Sequence, residues 1–74
     1  LDLGAFAKKY SLTKRETEVL EALLNFDDSA KDLAKQLFIS RAALYRHISS
    51  LNEKTGTKSR IGLIQFYYQQ KNEE

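Results

Sequence analysis

Residues 29–56 read SAKDLAKQLFISRAALYRHISSLNEKTG and contain two helix-forming segments separated by a very short break. Ser29 and Ser40 are typical N-cap residues, because a serine oxygen can accept a backbone N–H of the first helical turn. Phe38-Ile39 interrupts the helical pattern between the two caps. Gly56 can take the left-handed conformation that ends a helix. The stretch therefore predicts two helices joined by a tight turn.

The two predicted helices, Ser29 to Leu37 and Ser40 to about Thr55, have the organisation of a helix-turn-helix motif, whose second helix enters the major groove of DNA. Apolar residues in the second helix recur at helical spacing and predict its buried face: Leu44, Ile48 and Leu51. The remaining side chains that suit a groove are Arg41, Ala42, Tyr45, Arg46 and Ser49. Arginine can form two parallel hydrogen bonds with guanine, and a small alanine lets a helix approach thymine methyl groups.

The sequence on either side predicts further helices. Thr13 followed by Glu16 fits a capping box that begins a helix, and Asn25 is the candidate for the left-handed residue that ends it. Ser59 is the expected cap of a last helix, which carries the three aromatic residues 66–68. The chain has no proline and almost no period-two alternation. We therefore expect an all-α fold, a four-helix bundle that contains the helix-turn-helix, with a short N-terminal helical lead-in.

The 74 residues are enough for one small domain and not for two. We expect a lead-in over residues 1–10, which is a candidate linker to a further domain, the helix-turn-helix domain over 11–70, and a polar, frayed tail over 71–74. Because the first residue is Leu1 rather than methionine, we interpret the chain as an excised domain. Any sensor, receiver or ligand-binding part would then lie outside it.

Charge is distributed unevenly along the chain, although the net charge is only +2. Residues 1–28 hold four basic and six acidic residues, whereas residues 29–60 hold seven basic and two acidic residues. The excess of positive charge in the second segment favours a polyanionic partner. The alternative is an ordinary solvated, charged surface.

Several classes of function lack the residues that they need. The chain has no cysteine and a single histidine, His47, so we expect neither a metal site nor a disulfide. No nucleophile–base pair or phosphate-binding glycine loop is present, so we expect no cofactor and no enzymatic activity, and we interpret His47 as structural. No apolar run approaches the roughly 20 residues of a membrane span. We therefore expect a soluble, cytoplasmic domain.

Three segments resemble the LuxR-type (GerE-like) helix-turn-helix DNA-binding domains of bacterial transcriptional regulators. They are Leu12–Leu20 (LTKRETEVL), Asp32–Ser40 (DLAKQLFIS) and a third block of His47-Ile48, Lys54, Gly56 and Lys58-Ser59-Arg60. Their order and nearly correct spacing extend the resemblance from Leu12 to about Tyr68. The resemblance implies a four-helix domain that binds double-stranded DNA at the bacterial nucleoid as a homodimer, with the last helix forming the dimer contact.

The second helix of the motif departs from the family pattern at three positions. Ala43, Leu44 and Tyr45 stand where the family usually has threonine, valine and lysine. Because the family's lysine contacts bases, Tyr45 alters the implied recognition. The expected base-contacting residues are Ala42, Tyr45, Arg46 and Ser49. Arg46 is the preferred base reader, and the alternatives for it are a phosphate contact or a solvated surface arginine.

The remaining expected contacts involve phosphates and a second copy of the domain. The candidates for phosphate contacts are Lys31, Ser40, Arg41, Lys58 and Ser59. The candidates for the dimer contact are Ile64, Phe66, Tyr67 and Tyr68. The alternative is that these aromatic residues belong to the core. Glu16 and Arg60 resemble a family pairing between the first and last helices, with two independent surface charges as the alternative.

Two other functions are compatible with these patterns. A promoter-reading domain of a sigma factor shares the pattern from Leu12 to Ile48, although the segment from Gly56 to Arg60 and the last helix favour the LuxR type. A helical protein-interaction module would use the aromatic last helix and leave the basic segment without a role. RNA polymerase is a candidate second partner of the domain.

Overall fold

The computed structural model describes residues 2–72 and consists there of five α-helices and no strand. The helices are α1 (Leu3–Lys9), α2 (Lys14–Asn25), α3 (Ala30–Gln36), α4 (Arg41–Thr55) and α5 (Arg60–Asn72). The predicted all-α class is confirmed, and the expected helical lead-in corresponds to α1. Helices α3 and α4 form the predicted helix-turn-helix, with residues 37–40 between them.

Side-chain caps begin the helices as the sequence pattern predicts. Thr13 and Glu16 form a complete capping box at α2, in which each side chain accepts the other residue's backbone N–H. The three later helices each begin at a serine whose hydroxyl oxygen accepts the N–H three residues further on: Ser29, Ser40 and Ser59. Gly56 ends α4 with φ 72°, in the left-handed region, as expected. Short-range signals therefore locate these helix ends correctly.

The end of α2 differs from the prediction. Asn25 is the last helical residue, and the chain leaves the helix through Phe26 in an extended conformation, with φ −128° and ψ 131°. The left-handed conformation predicted at Asn25 is therefore wrong. In the extended exit, the carbonyl oxygen of Phe26 accepts a hydrogen bond from Arg60 Nη2 at 3.4 Å, which ties this end of α2 to the start of α5.

All five helices contribute to one hydrophobic core. Its fully buried side chains are Phe6, Val19, Leu20, Leu33, Leu44, Leu51 and Leu63. Phe6 brings α1 into this core, because its ring also packs against aromatic side chains of α5. The lead-in and the helix-turn-helix segment therefore pack as one unit.

The cover supplied by α1 changes the interpretation of the aromatic residues in α5. Tyr67 exposes only 6% of its surface, and its ring centroid lies 5.1 Å from that of Phe6. Phe66 is half-buried, with its ring centroid 6.1 Å from that of Phe6. The expected four-helix bundle would leave these aromatic residues without the cover that α1 supplies. Tyr67 thus belongs to the core and offers little surface to a second chain.

Helix α5 extends further than the sequence pattern indicates. Residues 71 and 72 of the expected frayed tail are helical, whereas residues 73 and 74, like Leu1 of the lead-in, lie outside the described residues. Between residues 2 and 72, no helix combines the length and the apolar character needed to cross a membrane.

Candidate nucleic-acid interface

Helix α4 has one buried face and one exposed face. Leu44, Ile48, Leu51 and Thr55 are buried at helical spacing. On the opposite side lie four exposed side chains, which we call the reading face: Ala42, Tyr45, Arg46 and Ser49. Tyr45 keeps 56% of its surface exposed. A helix of 15 residues spans about 22 Å, so its exposed side can follow a major groove over several base pairs.

Two arginines bring positive charge to the exposed side of α4. Arg41 begins the helix, Arg46 lies just over one turn further on, and both side chains are exposed. Within residues 2–72, neither guanidinium forms an ion pair with a carboxylate. Their N–H donors are therefore available for paired hydrogen bonds with guanine or phosphate oxygens.

The residues expected to contact phosphates are all exposed, and they lie on three parts of the chain. Lys31 is in the first turn of α3, Ser40 and Arg41 are at the start of α4, and Lys58 and Ser59 follow its end. The hydroxyl oxygens of Ser40 and Ser59 already accept backbone N–H groups, at 3.0 and 2.9 Å. Each hydroxyl hydrogen can still be donated to a phosphate oxygen. Donor groups therefore lie beyond both ends of the reading face.

Three side chains join α4 to α2, and we call them the Glu16 cluster: Glu16, Ser50 and Lys54. The Lys54 ammonium lies 2.5 Å from Glu16 Oε1, and the Ser50 hydroxyl donates to Oε2 of the same carboxylate. Glu16 Oε1 also accepts the backbone N–H of Thr13 at 2.8 Å. Lys54 donates in addition to the carbonyl oxygen of Ser11 at 3.0 Å. The cluster therefore connects the end of α1, the start of α2 and the last turns of α4.

The carboxylate of Glu16 stays charged at neutral pH despite its burial. Burial raises the pKa of this group, but the hydrogen bonds from Lys54, Ser50 and the Thr13 amide, together with the charge of Lys54, have the opposite effect. They lower the pKa from the ordinary 4.5 to about 2. A charged carboxylate that accepts these hydrogen bonds holds α4 in one position relative to α2.

The expected pairing of Glu16 with Arg60 is wrong, and so is the alternative of two independent surface charges. Glu16 is buried beside Lys54, and Arg60 donates instead to the Phe26 carbonyl. Sequence reasoning missed Ser50 and Lys54 as partners because they lie 34 and 38 residues from Glu16. The sequence contains one local indication of this contact, namely that the two polar residues lie one turn apart beside the apolar stripe of α4.

A second connection holds the turn that precedes α4. Arg15 Nη2 donates to the carbonyl oxygen of Leu37 at 2.6 Å, and Nη1 pairs with Glu18 Oε2 at 2.7 Å. Leu37 is the C-cap of α3, where carbonyl groups lack partners within the helix. The turn and the helix that follows it are thus each bonded to α2.

Helix α5 leaves a strip of apolar surface exposed. Ile61 and Tyr68 lie two turns apart on the same side of the helix and expose 68% and 43% of their surfaces. Ile64 lies between them and is half-buried against the core. Tyr68 is thus the most exposed of the four residues expected at a dimer contact. Sequence reasoning omitted Ile61 because its position also fits the inward apolar stripe of the helix.

The chain matches the family described as bacterial regulatory proteins, luxR family (GerE), over residues 10–67. It is 46% identical over 55 residues to the spore germination protein GerE of Bacillus subtilis, which covers 74% of this chain and 73% of that protein. It is 37% identical over 62 residues to a UPF0122 protein of Acetivibrio thermocellus, which covers 82% of this chain and 53% of that protein. No solved structure matches the chain at a significant level.

The matched range contains the whole helix-turn-helix together with the Glu16 cluster and Arg15. The family is one of DNA-binding transcription regulators and not one of enzymes. Its match extends over more than half of the chain, and the all-α fold agrees with it. The chain therefore belongs to the luxR family of bacterial regulatory proteins.

Proposed function

We propose that this domain binds double-stranded DNA in a sequence-specific manner, with α4 in the major groove. The observation that carries the proposal is the exposed, largely polar reading face. It lies on a helix that is bonded to α2, both directly and through the turn that precedes it. Arg46 reads a guanine through two hydrogen bonds, and Tyr45 and Ser49 bond to neighbouring base edges. Ala42 lets the helix approach thymine methyl groups.

Phosphate contacts set the register of α4 in the groove without reading sequence. We assign this role to the exposed donors beyond the reading face: Lys31, Ser40, Arg41, Lys58 and Ser59. The first turn of α4 carries no acidic residue, so its free backbone amides and the positive end of the helix dipole favour a phosphate there. A DNA partner places the domain in the bacterial cytoplasm, at the nucleoid.

Arg46→Ala tests the assignment of base reading. A DNA site is first selected from random sequences, and binding to it is then measured by fluorescence anisotropy. The substitution should weaken binding to this site roughly tenfold or more and relax the preference at one base pair, since a paired arginine–guanine contact is worth about 1–3 kcal/mol. Lys8→Ala removes an exposed cation on α1 and is the matched control, which should bind as the wild type does.

Equal affinities of the Arg46→Ala and wild-type chains would contradict base reading by Arg46. Failure of the wild-type chain to enrich any DNA site would favour the helical protein-interaction module, for which the reading face has no role.

Lys58→Ala tests the phosphate contacts. The logarithm of the binding constant should fall with the logarithm of the salt concentration, with a slope of about −0.9 for each phosphate neutralised. Removing Lys58 should make this slope about 0.9 less steep and weaken binding to all sequences by a similar factor. A salt-independent affinity of the wild-type chain would refute the phosphate contacts as a group.

We also propose that two copies of the domain pair through α5 on DNA. The exposed strip of Ile61 and Tyr68, beside half-buried Ile64 and Phe66, supports this proposal, because a contiguous apolar patch is typical of a protein contact. Tyr68→Glu should reduce the stoichiometry on a palindromic site from two chains to one in sedimentation velocity experiments. Two chains bound with undiminished cooperativity would exclude this contact. RNA polymerase stays a predicted further partner.

A further inference from the structure

Helices α1, α3 and α4 end in the same way. Just after each helix, one residue has a positive φ: Ser11 (57°), Phe38 (58°) and Gly56 (72°). The next residue donates its N–H to the carbonyl five residues back, at 2.9 to 3.0 Å, in the pairs Leu12–Ala7, Ile39–Ala34 and Thr57–Asn52. This hydrogen bond is characteristic of the Schellman motif, in which glycine is the usual left-handed residue because it has no Cβ. Glycine occupies only the last of these three positions.

Phe38 is an unexpected residue at such a position. The left-handed conformation brings Cβ close to the following carbonyl oxygen, so a bulky side chain is strained there. Phe38 is also 93% exposed, so its ring gains almost nothing from burial. Neither the backbone nor the packing of the free domain explains a phenylalanine here. Local strain of this kind is typical of functional positions.

The location of Phe38 indicates which kind of molecule its ring contacts. It lies two residues before Ser40, the N-cap of α4. In helix-turn-helix proteins, the N-terminal end of the corresponding helix contacts the bases. The exposed cations Lys35 and Arg41 flank it in sequence, and the N–H of Phe38 bonds to the Lys35 carbonyl at 3.1 Å. An apolar ring between cations matches a polyanion that also presents apolar groups. DNA does so through its sugars and its thymine methyl groups.

We infer that Phe38 is an additional DNA-contacting residue, whose ring packs on apolar C–H surface of DNA at the edge of the groove that α4 enters. The inference rests on the proposed function, because it requires α4 to lie in that groove. The apolar surface belongs either to a deoxyribose of the backbone or to the methyl group of a thymine. The contact buries a ring that is exposed in the free domain.

Replacing Phe38 by glycine separates the two effects of this side chain. Phe38→Gly should raise Tm by a few degrees because the backbone strain disappears. It should also weaken binding to the selected DNA site roughly tenfold, because a buried apolar contact is lost. Phe38→Leu keeps an apolar side chain and should retain most of the affinity.

Ser11→Gly is the matched control, because Ser11 has nearly the same φ in the same motif at the end of α1. This variant should also gain in Tm, and its Kd for DNA should equal that of the wild-type chain. The control therefore separates relief of backbone strain from loss of a DNA contact.

Two DNA probes distinguish the two apolar surfaces. If the ring packs on a deoxyribose, Phe38→Gly weakens binding to the selected site and to unrelated sequences by the same factor. If it packs on a thymine methyl, replacing that thymine by uracil weakens binding of the wild-type chain and not of the variant. Either result supports the inference.

Unchanged affinity of a folded Phe38→Gly chain would overturn the inference and leave the proposed function intact. This is the result expected if Phe38 contacts a protein partner instead of DNA. A wild-type chain that does not distinguish the selected site from an unrelated duplex would refute the proposed function itself. The two failures are therefore distinguishable in the same titrations.

Discussion

The two sides of α4 are built from different chemistry. The inner side is apolar, with Leu44 and Leu51 fully buried, and the Glu16 cluster bonds its flank to α2. The outer side is exposed, and within residues 2–72 its Arg46 forms no ion pair. The inner side determines where the helix lies, and under the proposed function the outer side determines what it recognises. A substitution should therefore change either stability or DNA affinity, according to the side on which it falls.

The largest expected contrast is between two neighbouring residues. Leu44→Ala should lower the free energy of unfolding by about 2–5 kcal/mol, because it opens a cavity in the core. Tyr45→Ala should change it by no more than about 0.5 kcal/mol, because Tyr45 is exposed, and should weaken DNA binding instead. Urea unfolding and anisotropy titrations of both variants check the pair. Equal losses of stability would contradict the division between the two sides.

Low pH should weaken the interactions on the inner side of α4 and not those on its outer side. The pKa of Glu16 is lowered from 4.5 to about 2 in the folded domain, so its stabilising effect is complete above pH 4.5 and is lost as the pH falls towards 2. At 1.36 kcal/mol for each pKa unit, the loss is on the order of 3 kcal/mol. Urea unfolding of the wild-type and Glu16→Gln chains between pH 7 and 2 measures it. The difference between the two chains should shrink towards pH 2, and a constant difference would contradict the assignment.

Removal of the Lys54 ammonium should have a somewhat smaller effect. Lys54→Met leaves the buried Glu16 carboxylate without its cation and should cost about 1–3 kcal/mol, measured by thermal unfolding. Lys58→Met removes an exposed lysine from the loop that follows α4 and should change stability by less than about 0.5 kcal/mol. Similar stabilities of the two variants would show that the ion pair has no structural role.

The smallest effect is expected at the end of α4. Gly56→Ala should cost about 1 kcal/mol, and the cost is purely conformational because no atom lies within 4 Å of the added Cβ. Gly4→Ala, in the exposed first turn of α1, should instead stabilise the domain by about 0.5–1 kcal/mol, since alanine is the better helix former. Thermal melts of both variants show whether each substitution raises or lowers Tm. A change in the same direction in both variants would argue against the left-handed end of α4.

The parts of the fold that were predicted from sequence depend on interactions within one or two helical turns. Thr13 and Glu16 satisfy each other's backbone amides three residues apart, and Ser40 caps α4 over the same distance. Gly56 lies directly after the helix that it ends. Such signals are complete in a short window, so the helices and the inner stripe of α4 could be identified without tertiary information.

The parts that were wrong depend on residues distant in the chain. The partners of Glu16 come from α4 instead of α5. The ring of Tyr67 is covered by that of Phe6, which lies near the other end of the sequence. The strained conformation of Phe38 was also not anticipated, because no glycine marks that turn. The base and phosphate contacts stay predictions, although every residue assigned to them is exposed.

The Lys54 ammonium bonds three elements at once. From the last turns of α4 it reaches the carbonyl oxygen of Ser11, at the end of α1, and the carboxylate of Glu16, near the start of α2. A displacement of α1 would therefore act on the same side chain that bonds α4 to α2. Under the proposed function, Lys54 connects the beginning of the chain mechanically to the helix that contacts DNA.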